Sequence, residues 1–443
     1  MKDNNVYKPL KVQEKVLDIV EECFKNENNG IMDARQIALE KLDEFLIKTG
    51  DGSYTLLSEG LDDSSETMHT YHGGVEESLE KYVKPAHLIG KDDVHVLDIC
   101  SGLGYTAAIC LEYLSDENQN PVKKPNICIE MVEISPLTLA AGLIIPSPLK
   151  SHEIVKKAIE NKLYDIGFLK HRMITSEIPG NIKLNLHLTD AREIVKNMKS
   201  SFEKPNISLK HDINAENGVK SLVQFNESEK IYDAIILAPF SPGVSPELYT
   251  LEFLNGLKSL VKDNGMFLTY TSSSAVRSAL ISLGLHVGEG PSFGRSGGTL
   301  ASMSPGNITK PLSNKDERMI ALTDAAMPFT DPDLNSSGDE ITARRQNDRS
   351  KARNEYKFPS TVKSPVYLYN DIPESRLRRR VLKDLRKLGL EDLISEKSKY
   401  LVCPQYKGCI CGNECEDFNS SRERVVEMEK RLNKIVEIRK SRV

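Results

Sequence analysis

The run VLDICSGLGYTA, Val96 to Ala107, carries an apolar strand with Asp98 and Cys100 at its end straight into a turn holding Gly102 and Gly104, and a helix begins at Tyr105. A backbone that turns so tightly beside a ligand has no room for Cβ atoms, which is why glycine is needed there. Alone, a glycine pair after a strand is common to several nucleotide-binding folds and to turns that bind nothing. The next strand sharpens the reading. ICIEMVEIS, Ile127 to Ser135, ends on Glu133 about thirty residues beyond the glycines, where an acid can accept hydrogen bonds from both hydroxyls of a ribose. A third strand runs into LTDAREI, setting Asp190 and Ala191 at the same sheet edge, with Asp190 placed to accept from an adenine amino group. No third glycine is present to seat a pyrophosphate, so the pair of acids fits S-adenosylmethionine better than a nicotinamide dinucleotide. The plainer alternative is a set of solvated strand-end carboxylates.

Outward from this turn, short apolar runs alternate with helical stretches. Strands are expected over Val94–Ile99, Ile127–Glu133, Leu184–Leu188, Ala234–Leu237 and Met266–Tyr270, the pattern of an α/β fold with a mostly parallel, Rossmann-like sheet covered by helices. Residues 1–48 read as a cap of two amphipathic helices, with Val12, Val16, Val20 and Cys23 on one face. Residues 49–310 form the main domain. Beyond Pro311 the chain turns polar, Asp331 to Asp339 reads as an exposed loop, and Arg344, Arg345, Arg349, Lys351 and Arg353 make residues 311–370 a basic linker. Residues 371–443 read as a small helical module with a basic helix, four clustered cysteines and a last helix carrying Val425, Met428, Leu432, Ile435 and Val436.

The net charge of -5 over 443 residues is mild, so a surface for nucleic acid has to be local rather than a property of the whole molecule. No stretch approaches the roughly 18–20 apolar residues of a membrane span and the N-terminus lacks a signal pattern, so the expectation is a soluble, cytoplasmic chain. Cys23, Cys100, Cys110 and Cys128 stand among apolar neighbours and read as small buried hydrophobes. Cys403, Cys409, Cys411 and Cys415 fall close together and offer four thiolates, to zinc or to an iron-sulfur cluster. Their spacing matches neither the paired C-x2-C zinc pattern nor the usual cluster run. Just before them, Arg376 to Lys387 holds seven basic residues against the single acid Asp384, which suits contact with a phosphate backbone.

Longer stretches carry a resemblance. TGDGSYTLLSE (Thr49 to Glu59), ETMHTYHGGVEESLEKYV (Glu66 to Val83), YDAIILAPFSPGVSPELYTLEFL (Tyr232 to Leu254) and SFGRSGGTLAS (Ser292 to Ser302) resemble the methyltransferase domain of the MnmC family, which completes 5-methylaminomethyl-2-thiouridine at the wobble position of tRNA. The resemblance covers about 250 residues and implies S-adenosylmethionine as cofactor and tRNA as partner. It implies that Asp51, Ser53, Thr55, Ser58 and Glu59 form an entrance segment, and that His72, Gly73, Glu77 and Ser78 lie beside the methionine end of the cofactor. Phe293, Gly294 and Arg295 match the family's F-G-R turn near the pocket mouth, and Phe240 lies in the loop after the fourth strand. One departure stands out. Family members carry an Asp at the start of that loop, and here the position is Ala238, with Glu77 or Glu247 as candidate replacements. That change leaves room for another RNA, protein or small-molecule substrate, and for a catalytically silent protein that binds RNA or a partner.

Overall fold

The computed structural model describes residues 13–57, 67–69, 71–118, 124–202, 230–294, 297–360 and 375–441. The chain enters through helices α1 (Glu14–Asn28) and α2 (Ala34–Leu42), a two-stranded ribbon of β1 (Ile47–Lys48) and β2 (Tyr54–Thr55), and the short α3 (Gly74–Ser78), which runs on into one π turn. The alternating section follows: β3 (Asp93–Ile99), α4 (Tyr105–Ser115), β4 (Asn126–Glu133), α5 (Pro136–Ile144), α6 (His152–Asp165), β5 (Ile182–Leu188) and α7 (Ala191–Phe202). After it come β6 (Tyr232–Leu237), α8 (Leu251–Lys258), β7 (Val261–Thr269), α9 (Ser274–Ser282), β8 (His286–Glu289) and β9 (Thr299–Ser302). Helices α10 (Asn314–Leu322), α11 (Gly338–Glu355), α12 (Ser375–Lys387), α13 (Glu396–Val402) and α14 (Ser421–Lys440) complete the chain.

Among the described residues the main sheet has the order β5-β4-β3-β6-β7-β9-β8. Its first five strands are parallel, and β9 lies antiparallel to both β7 and β8. All of β6 is buried, as a central parallel strand covered on both faces requires. Its side chains alternate between two core layers. Ala234 and Ile236 belong to the core layer that also holds residues of α1, α4, α5 and α6, whereas Ile235 and Leu237 belong to the layer shared with α8, α9 and α10. Between β3 and β6 the winding direction reverses, and ligand sites in such sheets form at the strand ends beside that reversal.

Three differences from the sequence expectation have physical causes. The antiparallel β8 and β9 were not among the expected strands, because each is four residues long and gives too short an alternation to read. The expected exposed loop Asp331–Asp339 is folded inward at its start: Asp331 and Leu334 are buried, and the Asp331 carboxylate accepts from the Ser336 N–H and from Arg192. The expected basic linker is helix α11, opened by a capping box of Ser337 and Glu340. Its arginines turn toward the protein. Arg345 donates to the carbonyls of Met327 and Ala325, and Arg349 pairs with the buried Asp324.

The C-terminal segment is likewise part of the main body. Val381, Leu385, Leu401, Val425, Met428 and Leu432 belong to the same core layer as Phe253 and Leu237, and α14 packs along α10 and β8. No helix among the described residues is long and apolar enough to cross a membrane.

Candidate functional site

The glycine turn is built by local strain and close packing. Cys100 takes a left-handed φ of 65°, which lets its own N–H and that of Ser101 both donate to the Val132 carbonyl at 2.9 and 3.1 Å. Gly104, at φ 84°, caps α4, and a Cβ there would stand 2.8 Å from Val155. A Cβ on Gly102 would meet the Met68 side chain at 2.8 Å, so the turn is covered by the segment that precedes α3.

Glu133 closes the adjoining corner. One carboxylate oxygen accepts from the N–H groups of Ile134 and Ser135 at 2.9 and 3.0 Å, and the other from Gly102 at 3.1 Å. Burial pushes its pKa above the ordinary carboxylate range against these three donors. The sequence explains the placement: Ser135 caps α5 and Pro136 starts it, so strand, acid and helix follow without a loop.

A second wall folds down from the entrance segment. Asp51 accepts from Thr49 and Ser53 with one oxygen and from the N–H groups of Val75 and Glu76 with the other, capping α3. Although burial opposes it, those donors hold the Asp51 carboxyl below its usual range. Gly73, at φ 143°, has no alternative, since a Cβ would lie 1.9 Å from that carboxylate. Ser53 accepts from the Gly74 N–H and Thr55 from the His69 N–H. Asp51, Ser53 and Thr55 thus set the segment that brings Met68, His69, Glu77 and Ser78 into one cavity wall.

That cavity, about 1270 Å³ with its open mouth, lies at the reversal point of the sheet. Of the residues singled out in the sequence, Cys100, Gly102, Glu133, Asp190, Ala191, Glu77, Ala238 and Phe240 line it, together with Glu247. Others stand elsewhere. Asp98 lies beneath the turn and is 1% exposed. Tyr105 is buried behind the wall, between His69 and His152, and its hydroxyl accepts from the Tyr54 N–H. His72 packs edge-on against Phe293, with ring centroids 5.6 Å apart, and neither lines the cavity. Ser58, Glu59 and Arg295 lie outside the described residues. His69, Thr138, Ser245 and Tyr270 line the cavity although the sequence reading did not select them. His69 and Ser245 lie within stretches quoted above and Tyr270 ends an expected strand, but nothing local marks which of their side chains face the cavity.

The cavity has a marked charge. Burial raises the Cys100 thiol well above its usual pKa, and Glu133, Asp98, Glu247 and Asp190 all push the same way. Of these, Glu133, Glu247 and Asp190 line the cavity, and carboxylates there favour a cation over a phosphate. Asp190 carries its own counterion, since Arg192 holds both its oxygens and also reaches Asp331 and the Ser336 carbonyl.

Comparison with known proteins agrees with this geometry. Residues 202–304 match the model of an S-adenosyl-L-methionine-dependent methyltransferase family. An uncharacterised protein of Methanocaldococcus jannaschii, MJ0670, is 30% identical over 370 residues, covering 82% of this chain and 90% of that protein. The crystal structure of MnmC2 from Aquifex aeolicus shares the fold at a TM-score of 0.50 and 24% identity, over 77% of this chain and 100% of that one. The chain therefore belongs to the family of the Methanocaldococcus protein, and it carries an S-adenosyl-L-methionine-dependent methyltransferase segment within a fold shared with MnmC2.

Proposed function

We propose that the cavity at the sheet reversal binds S-adenosylmethionine and that the chain methylates the aminomethyl group of a modified wobble uridine in tRNA. The observation that carries the cofactor assignment is the cavity at the strand ends, where the Gly102 turn meets Glu133 in a corner suited to a ribose. Glu133, fixed by three backbone donors, keeps lone pairs for the ribose hydroxyls, and Asp190 with Ala191 edges the adenine end. When bound, S-adenosylmethionine supplies its methyl group to an unprotonated amine by in-line displacement, a reaction governed chiefly by alignment.

The tRNA assignment rests on the collinear motifs shared with the MnmC family. Ala238 offers no acceptor for the amine proton where that family has an Asp. Glu77 and Glu247 both line the cavity and are the candidate acceptors of the amine proton, Glu247 on the short 3-10 turn that follows the Ala238 loop. Arg379, Arg380, Lys383, Arg386 and Lys387 on α12 are exposed, and their charge suits a phosphate backbone. Ala238 also favours a second reading, in which the same cofactor serves a different acceptor on RNA, protein or a metabolite.

Nucleoside mass spectrometry of tRNA from cells with and without the gene separates the two. Loss of the gene is expected to leave a wobble nucleoside lighter by one methyl group. An unchanged profile would reject the tRNA substrate and favour the second reading.

A further inference from the structure

We propose that Cys403, Cys409, Cys411 and Cys415 hold one zinc ion in a closed tetrathiolate site that pins α13 to α14 and α10. The four sulfurs all lie within 4.8 Å of one another, with successive separations of 3.9, 3.6 and 3.5 Å. A tetrahedron of thiolates at the zinc–sulfur distance of about 2.3 Å has an edge of about 3.8 Å. The spacing is that of one ion. In an iron-sulfur cluster the thiolates sit on different irons, so some are separated by the whole cluster, and no pair here is far enough apart. Two disulfides would draw the sulfurs into pairs at about 2.05 Å, and all four cysteines are free.

The backbone shows how an irregular spacing encloses an ion. Gly408, Gly412 and Glu414 take left-handed φ angles of 76°, 77° and 50°, turning the chain between Cys403 and Cys409 and between Cys411 and Cys415. N–H groups then face three of the sulfurs: Ile410 N donates to Cys403, Asn413 Nδ2 to Cys411 and Arg431 Nη2 to Cys415, at 3.3–3.4 Å. Four thiolates around a divalent ion leave two negative charges, and such donors both orient the ligands and balance that charge.

Arg431 makes the site a junction. It is nearly buried, donates to the Tyr400 carbonyl at 2.7 Å and pairs with Glu427 at 2.8 Å, joining the end of α13 to the middle of α14. On the other side Gln405 donates to Glu317 and to the Asn314 carbonyl, and Arg424 grips Glu317 at 2.7 Å. With no open coordination position, the ion's role is structural. The proposal is independent of the substrate assignment.

Elemental analysis of the purified full chain is expected to give one zinc per chain, with no colour. Cobalt replacing it should give the intense visible bands of a tetrahedral thiolate site, and Cys409→Ser with Cys411→Ser should lower the zinc content from one per chain to none. If the double variant fails to fold, the wild-type stoichiometry and the cobalt spectrum still decide. Iron with acid-labile sulfide, mass loss from two disulfides, or folded wild-type chain without stoichiometric zinc would each overturn the proposal.

Discussion

Asp98 has a cost that depends on pH. Burial pushes its pKa up to about 7, above the roughly 3.9 of an unfolded Asp, so across this window the folded chain keeps a proton that the unfolded chain has released. The sign follows directly: stability falls as pH rises through the window and is level above it, a loss of about 4 kcal/mol if Asp98 acts alone. Asp98→Asn is therefore expected to flatten the dependence of melting temperature on pH and to raise the melting temperature at pH 8. Identical melting curves for both proteins at pH 5 and pH 8 would show that Asp98 is not the buried acid described here. Glu133 has the complementary role toward ligand. Removing its charged acceptor in Glu133→Ala should cost about 2 kcal/mol, or about 30-fold in S-adenosylmethionine affinity by calorimetry. Unaltered affinity in a folded variant would displace the ribose from this corner. Glu133 was legible in the sequence because strand, acid and capped helix follow one another locally. His69 was not, because its place depends on Thr55 and Gly74 folding the segment back over the turn.

At the scale of elements, buried parallel strands announce themselves as apolar runs, which is why β3, β4 and β6 could be read from sequence. Helix α11 shows the opposite case. Its charges look like a solvated run, yet their partners are carbonyls and a carboxylate many residues away, and sequence distance hides such pairs. Asp324 is the key partner: it is fully buried and accepts from the Ser360 N–H at 2.5 Å and from Arg349 at 2.9 Å. Breaking this pairing leaves cations facing a vacated site, so Asp324→Ala should destabilise the protein by about 3 kcal/mol in urea unfolding, the lower end for a buried pair because Arg349 is partly exposed. A loss below about 0.5 kcal/mol, the level of an ordinary surface substitution, would mean that the arginines are solvated after all.

Over the whole molecule, two core layers flank one sheet, with the N-terminal helices on one face and the C-terminal helices on the other. The C-terminal sequence reads as a separate module because its charges and cysteines are conspicuous. Its apolar residues, spaced at helical intervals, instead complete the layer beneath α8 and α10. The two faces hold between them the acidic cavity on which the functional account depends. The most direct test is to incubate the full chain with methyl-labelled S-adenosylmethionine and tRNA from cells lacking the gene. Label is expected in the wobble nucleoside, with a sharp reduction for Glu133→Ala at limiting cofactor. Folded wild-type protein that takes up the cofactor but labels no tRNA would contradict the substrate assignment, and failure to bind the cofactor would contradict the cofactor site at the sheet reversal.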